Sequence, residues 1–72
     1  MRIRVTGFPG IIGKEDISRL FSQYGTVDNV EKAYGTSIAY VNMTYEHQGH
    51  AAIYYLDGSK LYGRTIKVEE YS

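Results

Sequence analysis

A chain of 72 residues is one small domain that buries only about 60% of the surface its unfolded form exposes, so most apolar side chains must serve the core and little is left for an enclosed enzyme pocket. Eight basic and eight acidic side chains give zero formal net charge, which argues against capture of nucleic acid by long-range attraction and requires any basic surface to be local. The absence of cysteine excludes disulfides and thiolate metal sites, and no apolar run reaches the length of a membrane span.

The first predicted element is a strand, because Ile3 and Val5 alternate with Arg2, Arg4 and Thr6 in the period-two pattern of a half-buried sheet. It starts within a few residues of Met1, and the chain therefore reads as a non-secreted module without a signal peptide. After the turn Gly-Phe-Pro-Gly-Ile-Ile-Gly, residues Ile17, Leu20, Phe21 and Tyr24 recur at helical spacing, with Glu15 and Asp16 suited to the positive N-terminus and Gly25 to a C-terminal cap. Val27 and Val30 lead a second strand expected to run through Tyr34, with Gly35 in a short turn and a third strand from Ile38 to Met43. Thr44 is the expected N-cap of a second helix that runs to about Leu56 and ends at Gly58. A last strand turns Ile66 and Val68 inward and Lys67 and Glu69 outward.

The order βαββαβ predicts an α+β fold of ferredoxin-like type, with two helices on one face of a four-stranded antiparallel sheet. Its other face is open. The phasing of the strands assigns to it Arg2, Arg4, Thr6, Glu31, Ala33, Ile38, Tyr40, Asn42, Lys67 and Glu69.

Five blocks of the chain, in order, resemble the RNA recognition motif family. Ile3-Arg4-Val5-Thr6-Gly7-Phe8-Pro9 is similar to its first-strand hexapeptide and the Leu-Pro that follows. Leu20 to Gly25 resembles the end of its first helix, Ala52 to Gly58 the end of its second, and Leu61 to Val68 its last hairpin and strand. Thr36-Ser37-Ile38-Ala39-Tyr40-Val41-Asn42-Met43 is a partial match to the octapeptide K/R-G-F/Y-G/A-F-V-x-F/Y: Ala39, Tyr40 and Val41 fit, whereas Thr36, Ser37, Ile38 and Met43 do not. The resemblance implies a single RNA recognition motif domain over residues 1–72, a non-enzymatic module that binds single-stranded RNA on its open face, works in RNA processing and resides inside the cell, with the nucleus favoured.

The family's platform usually has three aromatic rings, one on the first strand and two on the third. Arg4 and Ile38 stand at two of those positions, which leaves Tyr40 as the one retained ring, expected to be free to meet a base. At ~1–3 kcal/mol per stacked base, the two missing rings imply modest affinity. The expected RNA-binding residues are Arg2, Arg4, Ile38, Tyr40, Asn42 and Lys67: the ring, the guanidinium and the aliphatic surface of Ile38 cover bases, Asn42 reads polar edges, and Arg2, Arg4 and Lys67, with Lys32 as an additional cation, meet phosphates. Glu31 and Glu69 oppose these cations, so the face is only slightly basic.

Other signals are weaker. Gly7, Gly10, Gly13 and Lys14 mimic a phosphate loop, but Phe8 and Glu15 occupy the places where that loop needs glycine and Ser or Thr, so a turn-forming loop is the better account. His47 and His50 lie at i, i+3 on the second helix without a third ligand in sequence, and no metal or other cofactor is expected. No serine, histidine and carboxylate constellation stands out, and an open sheet does not exclude water. On the second helix Tyr54 and Tyr55 replace the charged or polar residues usual in the family. Tyr54 with His47 and His50 therefore forms the alternative site, a protein interface on a domain expected to be monomeric by itself, and the sheet face depleted of rings is the other surface a polypeptide could take. Gly49, inside that helix, is expected to permit a close approach.

Overall fold

Alternation along the first strand buries Ile3 and Val5 completely while leaving Arg2 exposed and Arg4 half-buried. In the computed structural model, which describes residues 1–71, the elements are β1 (Arg2–Thr6), α1 (Lys14–Ser22), β2 (Val27–Glu31), β3 (Ile38–Met43), α2 (Glu46–Leu56), β4 (Lys60–Leu61), β5 (Arg64–Thr65) and β6 (Lys67–Glu70). The main sheet has the strand order β2-β3-β1-β6, all neighbours antiparallel, and β4 and β5 form a separate two-stranded hairpin. Both helices pack on one face of the main sheet, the architecture expected from the pattern of apolar residues, with the small hairpin as an addition.

The core lies between that face and the helices. Ile3 and Val5 of β1, Ala39, Val41 and Met43 of β3, and Ile66 and Val68 around β6 meet Ile17 and Phe21 of α1 and Ala52 and Leu56 of α2. Phe8, in the loop after β1, is also fully buried. Each large side chain so buried contributes roughly 1.5–3 kcal/mol relative to exposure, which suffices to hold two short helices that would not persist alone in water.

Three expected boundaries are corrected. β2 stops at Glu31 rather than Tyr34, and Tyr34 stands fully exposed in the turn closed by the Thr36 N–H donating to Ala33 O at 3.2 Å. Ala33 therefore belongs to this turn and not to the strand. Thr44 does not cap α2: its hydroxyl donates to Asp28, and Tyr45 takes the N-cap position without a side-chain cap. Gly25 is not a left-handed helix terminus, because its φ is not positive; instead a Cβ there would lie 2.1 Å from Gln48 Oε1, so the residue is small to let α2 approach. Gly58, by contrast, takes φ +80° past the end of α2, as expected, and its N–H donates to Ile66 O at 2.9 Å. Gly49 also serves close approach, and the neighbour it admits is the Met1 side chain, whose Sδ would lie 2.2 Å from an added Cβ.

β2 carries one extra residue. Val27 pairs with Met43 and Asn29 with Asn42, so Asp28 is a bulge. That insertion explains how Val27 and Val30, three apart, both face the helices.

Candidate nucleic-acid interface

The face away from the helices is laid out in cross-strand rows. Register pairs Glu31 with Tyr40, Tyr40 with Arg4, and Arg4 with Glu69, placing a carboxylate at each end of a row whose middle is a ring and a guanidinium. The next row toward the start of β1 joins Asn29, Asn42 and Arg2, and the row on the other side joins Ile38, Thr6 and Lys67. All six RNA-binding candidates, Arg2, Arg4, Ile38, Tyr40, Asn42 and Lys67, are thus on one surface.

Their side chains are more engaged than the sequence suggests. The Arg2 guanidinium donates to Glu31 Oε1 at 2.8 Å, and Arg4 donates through Nε and Nη2 to Glu69 Oε2 at 3.3 and 2.8 Å. The hydrogen bond from Arg4 holds the Glu69 carboxyl below the usual carboxylate range, and the same pairing raises Arg4. Lys67 Nζ also lies 3.9 Å from Glu69. Asn42 donates its side-chain amide to Asn29 Oδ1 at 2.7 Å. Lys32 is turned away, donating to Gly10 O and Ala33 O while its ammonium lies 5.7 Å from the Phe8 ring centre.

Tyr40 is not a free ring. Arg2 lies over it at 4.7 Å, and Tyr71 packs against it with ring centres 5.0 Å apart and planes tilted by 57°. Tyr71 is the residue that sequence reading missed. It continues the outward phase of Lys67 and Glu69, and its N–H donates to Arg2 O at 2.8 Å, extending the β6 ladder by one residue. The alternation Lys67, Glu69, Tyr71 was the available signal. Arg2 and Arg4 lie 5.4 and 5.7 Å from the Tyr71 ring centre, so the face holds two rings and two guanidinium groups in one cluster.

Beside Tyr40, where β2 runs into the turn, lies a shallow cleft of about 310 Å³ lined by Glu31, Lys32, Ala33, Thr36, Ile38 and Tyr40. Ile38 is 46% exposed and forms part of its apolar floor. The cleft opens on the same side as the six candidates, which ties the turn to the strand surface.

On the helical side His47 and His50 are exposed on α2, and among the described residues they join no group of three potential metal ligands. Tyr54 is 80% exposed and meets Tyr55 edge-on at 5.1 Å, while Tyr55 stacks on Tyr24 of the α1 end at 5.7 Å. His47 contacts the Tyr45 ring rather than Tyr54. The three expected interface residues are therefore one helix surface in two parts, an aromatic ladder around Tyr54 and a separate pair at the helix start.

A model of the RNA recognition motif family matches residues 3–67. The 33 kDa chloroplastic ribonucleoprotein of Nicotiana sylvestris is 34% identical over 73 aligned residues, covering 93% of this chain but only 22% of that protein. The solved Sex-lethal RNA recognition domains 1 and 2 from Drosophila melanogaster share the fold with a TM-score of 0.92 at 21% identity, over 99% of this chain and 49% of that one. The RNA Binding Protein PG1 gives a TM-score of 0.88 at 28% identity, over 99% and 93% of the two chains.

Proposed function

The chain belongs to the RNA recognition motif family, whose members are RNA-binding modules and not enzymes, and from that premise we propose that it holds single-stranded RNA on its open sheet face with modest affinity. The observation that carries this reading is the Tyr40 and Tyr71 pair, two rings on the uncovered side of the sheet beside Arg2 and Arg4. Unstacked bases are held by such rings and guanidinium planes, and every base has a face to offer. A base reaches Tyr40 by displacing Arg2, whose guanidinium then turns to a phosphate. Asn42 and Lys67 supply polar and charged contacts at the two ends. Because each cation must first leave a carboxylate, short oligomers bind with dissociation constants weaker than about 1 µM at physiological salt.

The ribonucleoprotein relative supports association with RNA, and a role in RNA processing is part of the proposal. The same relative is chloroplastic, so the reading extends to an organelle as well as to the nucleus that the family at large suggests. Backbone amide shifts titrated with a mixed-sequence single-stranded RNA test the site. Perturbations should concentrate on β1, β3, Glu69 and Tyr71. Perturbations confined to α2 would instead support the second reading, a protein interface built on the exposed Tyr54, Tyr55 and Tyr24 ladder with His50 beside it.

A further inference from the structure

The cleft beside Tyr40 has a feature that general RNA binding does not require. Its lining is mostly apolar, with Ala33, Ile38 and Tyr40 among it, yet it also includes the acidic residue Glu31. The Glu31 carboxylate accepts from Arg2 at 2.8 Å through Oε1, and a base that displaces Arg2 frees that oxygen as well. Oε2 accepts from no protein group among the described residues. A carboxylate offers about four acceptor sites, so most of its capacity is unspent. A volume of about 310 Å³ is at the lower end for small-ligand sites and suits a single planar group rather than a larger one.

An apolar lining with one anionic acceptor group selects a flat ligand with donors on its edge. Among the four RNA bases, guanine presents two adjacent donors, N1–H and N2–H, which match the two oxygens of a carboxylate. Cytosine and adenine present an amino group beside an acceptor nitrogen. Uracil presents one imino donor between two carbonyl oxygens, which a carboxylate repels. We propose that this cleft is a nucleobase subsite selective for guanine, in which N1–H and N2–H of the base donate to Glu31 while Ile38 and Ala33 cover its face. The inference rests on the RNA-binding reading above and assigns it a base preference. Negative charge on an RNA-binding face is otherwise a disadvantage, since it weakens every phosphate contact nearby; here it confers discrimination.

The test uses the 72-residue chain and fluorescent uridine pentamers whose central nucleotide is U, G, inosine, A or C, read by anisotropy. The guanine pentamer should bind about fivefold or more tightly than the all-uridine one, as a carboxylate paired with two base donors implies. Inosine, which lacks the N2 amino group, should fall between them. Glu31→Gln should bring guanine and uracil to within about twofold of each other, whereas Glu70→Gln, an equal charge change at an exposed position outside the cleft, should keep the preference. Ala33→Trp, which fills the cleft from the turn, should also abolish the preference. Equal binding of all five pentamers would overturn the guanine subsite and leave the RNA-binding reading standing. A guanine preference that survives Glu31→Gln, or affinities that all rise together with their ratio unchanged, would also overturn it. No binding of any pentamer, with the fold intact by circular dichroism, would overturn both readings together.

Discussion

Tyr40 sits at the centre of the open face, and its surroundings set how much it contributes. Stacking a base on an exposed ring is worth ~1–3 kcal/mol. Against this stand the loss of the Arg2 contact with the ring, about 0.5–1 kcal/mol, and of the exposed Arg2–Glu31 pair, at most about 1 kcal/mol. The balance remains favourable but small, so Tyr40→Ala should weaken RNA binding by roughly 1 kcal/mol, near the low end of the stacking range. Folding should be little affected, because the core positions beside it are filled by Ala39 and Val41. Tyr40→Phe should bind like the parent, since stacking needs the ring and not the hydroxyl. Tyr71 distinguishes two roles. As a second platform ring its loss in Tyr71→Ala should cost about as much as the loss of Tyr40; isothermal titration showing tighter RNA binding instead would mean that Tyr71 acts as a cover over Tyr40. The sequence made Tyr40 legible through its place in the octapeptide and left Tyr71 obscure, because Tyr71 lies beyond the last family block and only strand phase points to it.

At the scale of elements, β1, β3 and β6 were legible from alternation alone, as each has one buried and one open face without interruption. β2 was not, because a bulge at Asp28 breaks its phase and no pattern of single residues announces a bulge. The bulge also removed Thr44 from its expected role. A threonine hydroxyl before a helix can bond the helix N–H groups or any nearer acceptor, and here the Asp28 carboxylate, brought close by the extra residue, takes it. The start of α1 was easier to read, since Asp16 accepts from the Gly13 N–H and also pairs with Arg19 within the same turn. The site suffered less than the boundaries did: a side chain's face follows from strand parity, whereas a helix end depends on which of several partners is nearest. Gly25 is the sharpest case, misread as a cap because glycine after a helix usually is one. Gly25→Ala would force Gln48 aside, and Gln48 Oε1 is the acceptor for the Thr26 N–H at 2.8 Å. The substitution should therefore destabilise the domain by ~1–3 kcal/mol in urea unfolding, the cost of inserting one methyl where packing is already close. An unchanged midpoint would mean that Gln48 has a second rotamer available to it.

For the molecule as a whole, zero net charge is arranged rather than diffuse: on the open face Arg4 is matched by Glu69 on the neighbouring strand and Arg2 by Glu31 two strands away. The pairing of Glu69 with Arg4 links this arrangement to pH. The carboxyl of Glu69 titrates below its ordinary range, so its contribution to stability is fully present above the unfolded value and is lost as pH falls through the lower, folded one. Thermal melts should therefore be flat from neutral pH down to about pH 5 as far as this pair is concerned, then fall below it, and Glu69→Gln should fall less steeply in the same range. The same pairing governs the response to salt. From the sequence, three or four cations on this face would neutralise as many phosphates and give a slope of log K against log salt near −2 to −3, at about −0.7 per phosphate on a single strand. In the fold Arg2 and Arg4 are already paired, and Lys32 is bound to the carbonyl groups of Gly10 and Ala33. Lys67, with its ammonium 3.9 Å from Glu69, is the least constrained of the four. One or two phosphates neutralised without an offsetting carboxylate give a slope of about −0.7 to −1.4. Glu69→Gln releases Arg4 and relieves Lys67 at neutral pH, so it should raise affinity for every RNA sequence alike and steepen the slope by about 0.7–1.4. Anisotropy titrations of both proteins between low and physiological salt measure this directly. If parent and variant share one slope, the arginines meet phosphates without leaving their carboxylates, and the open face binds RNA with its ion pairs intact.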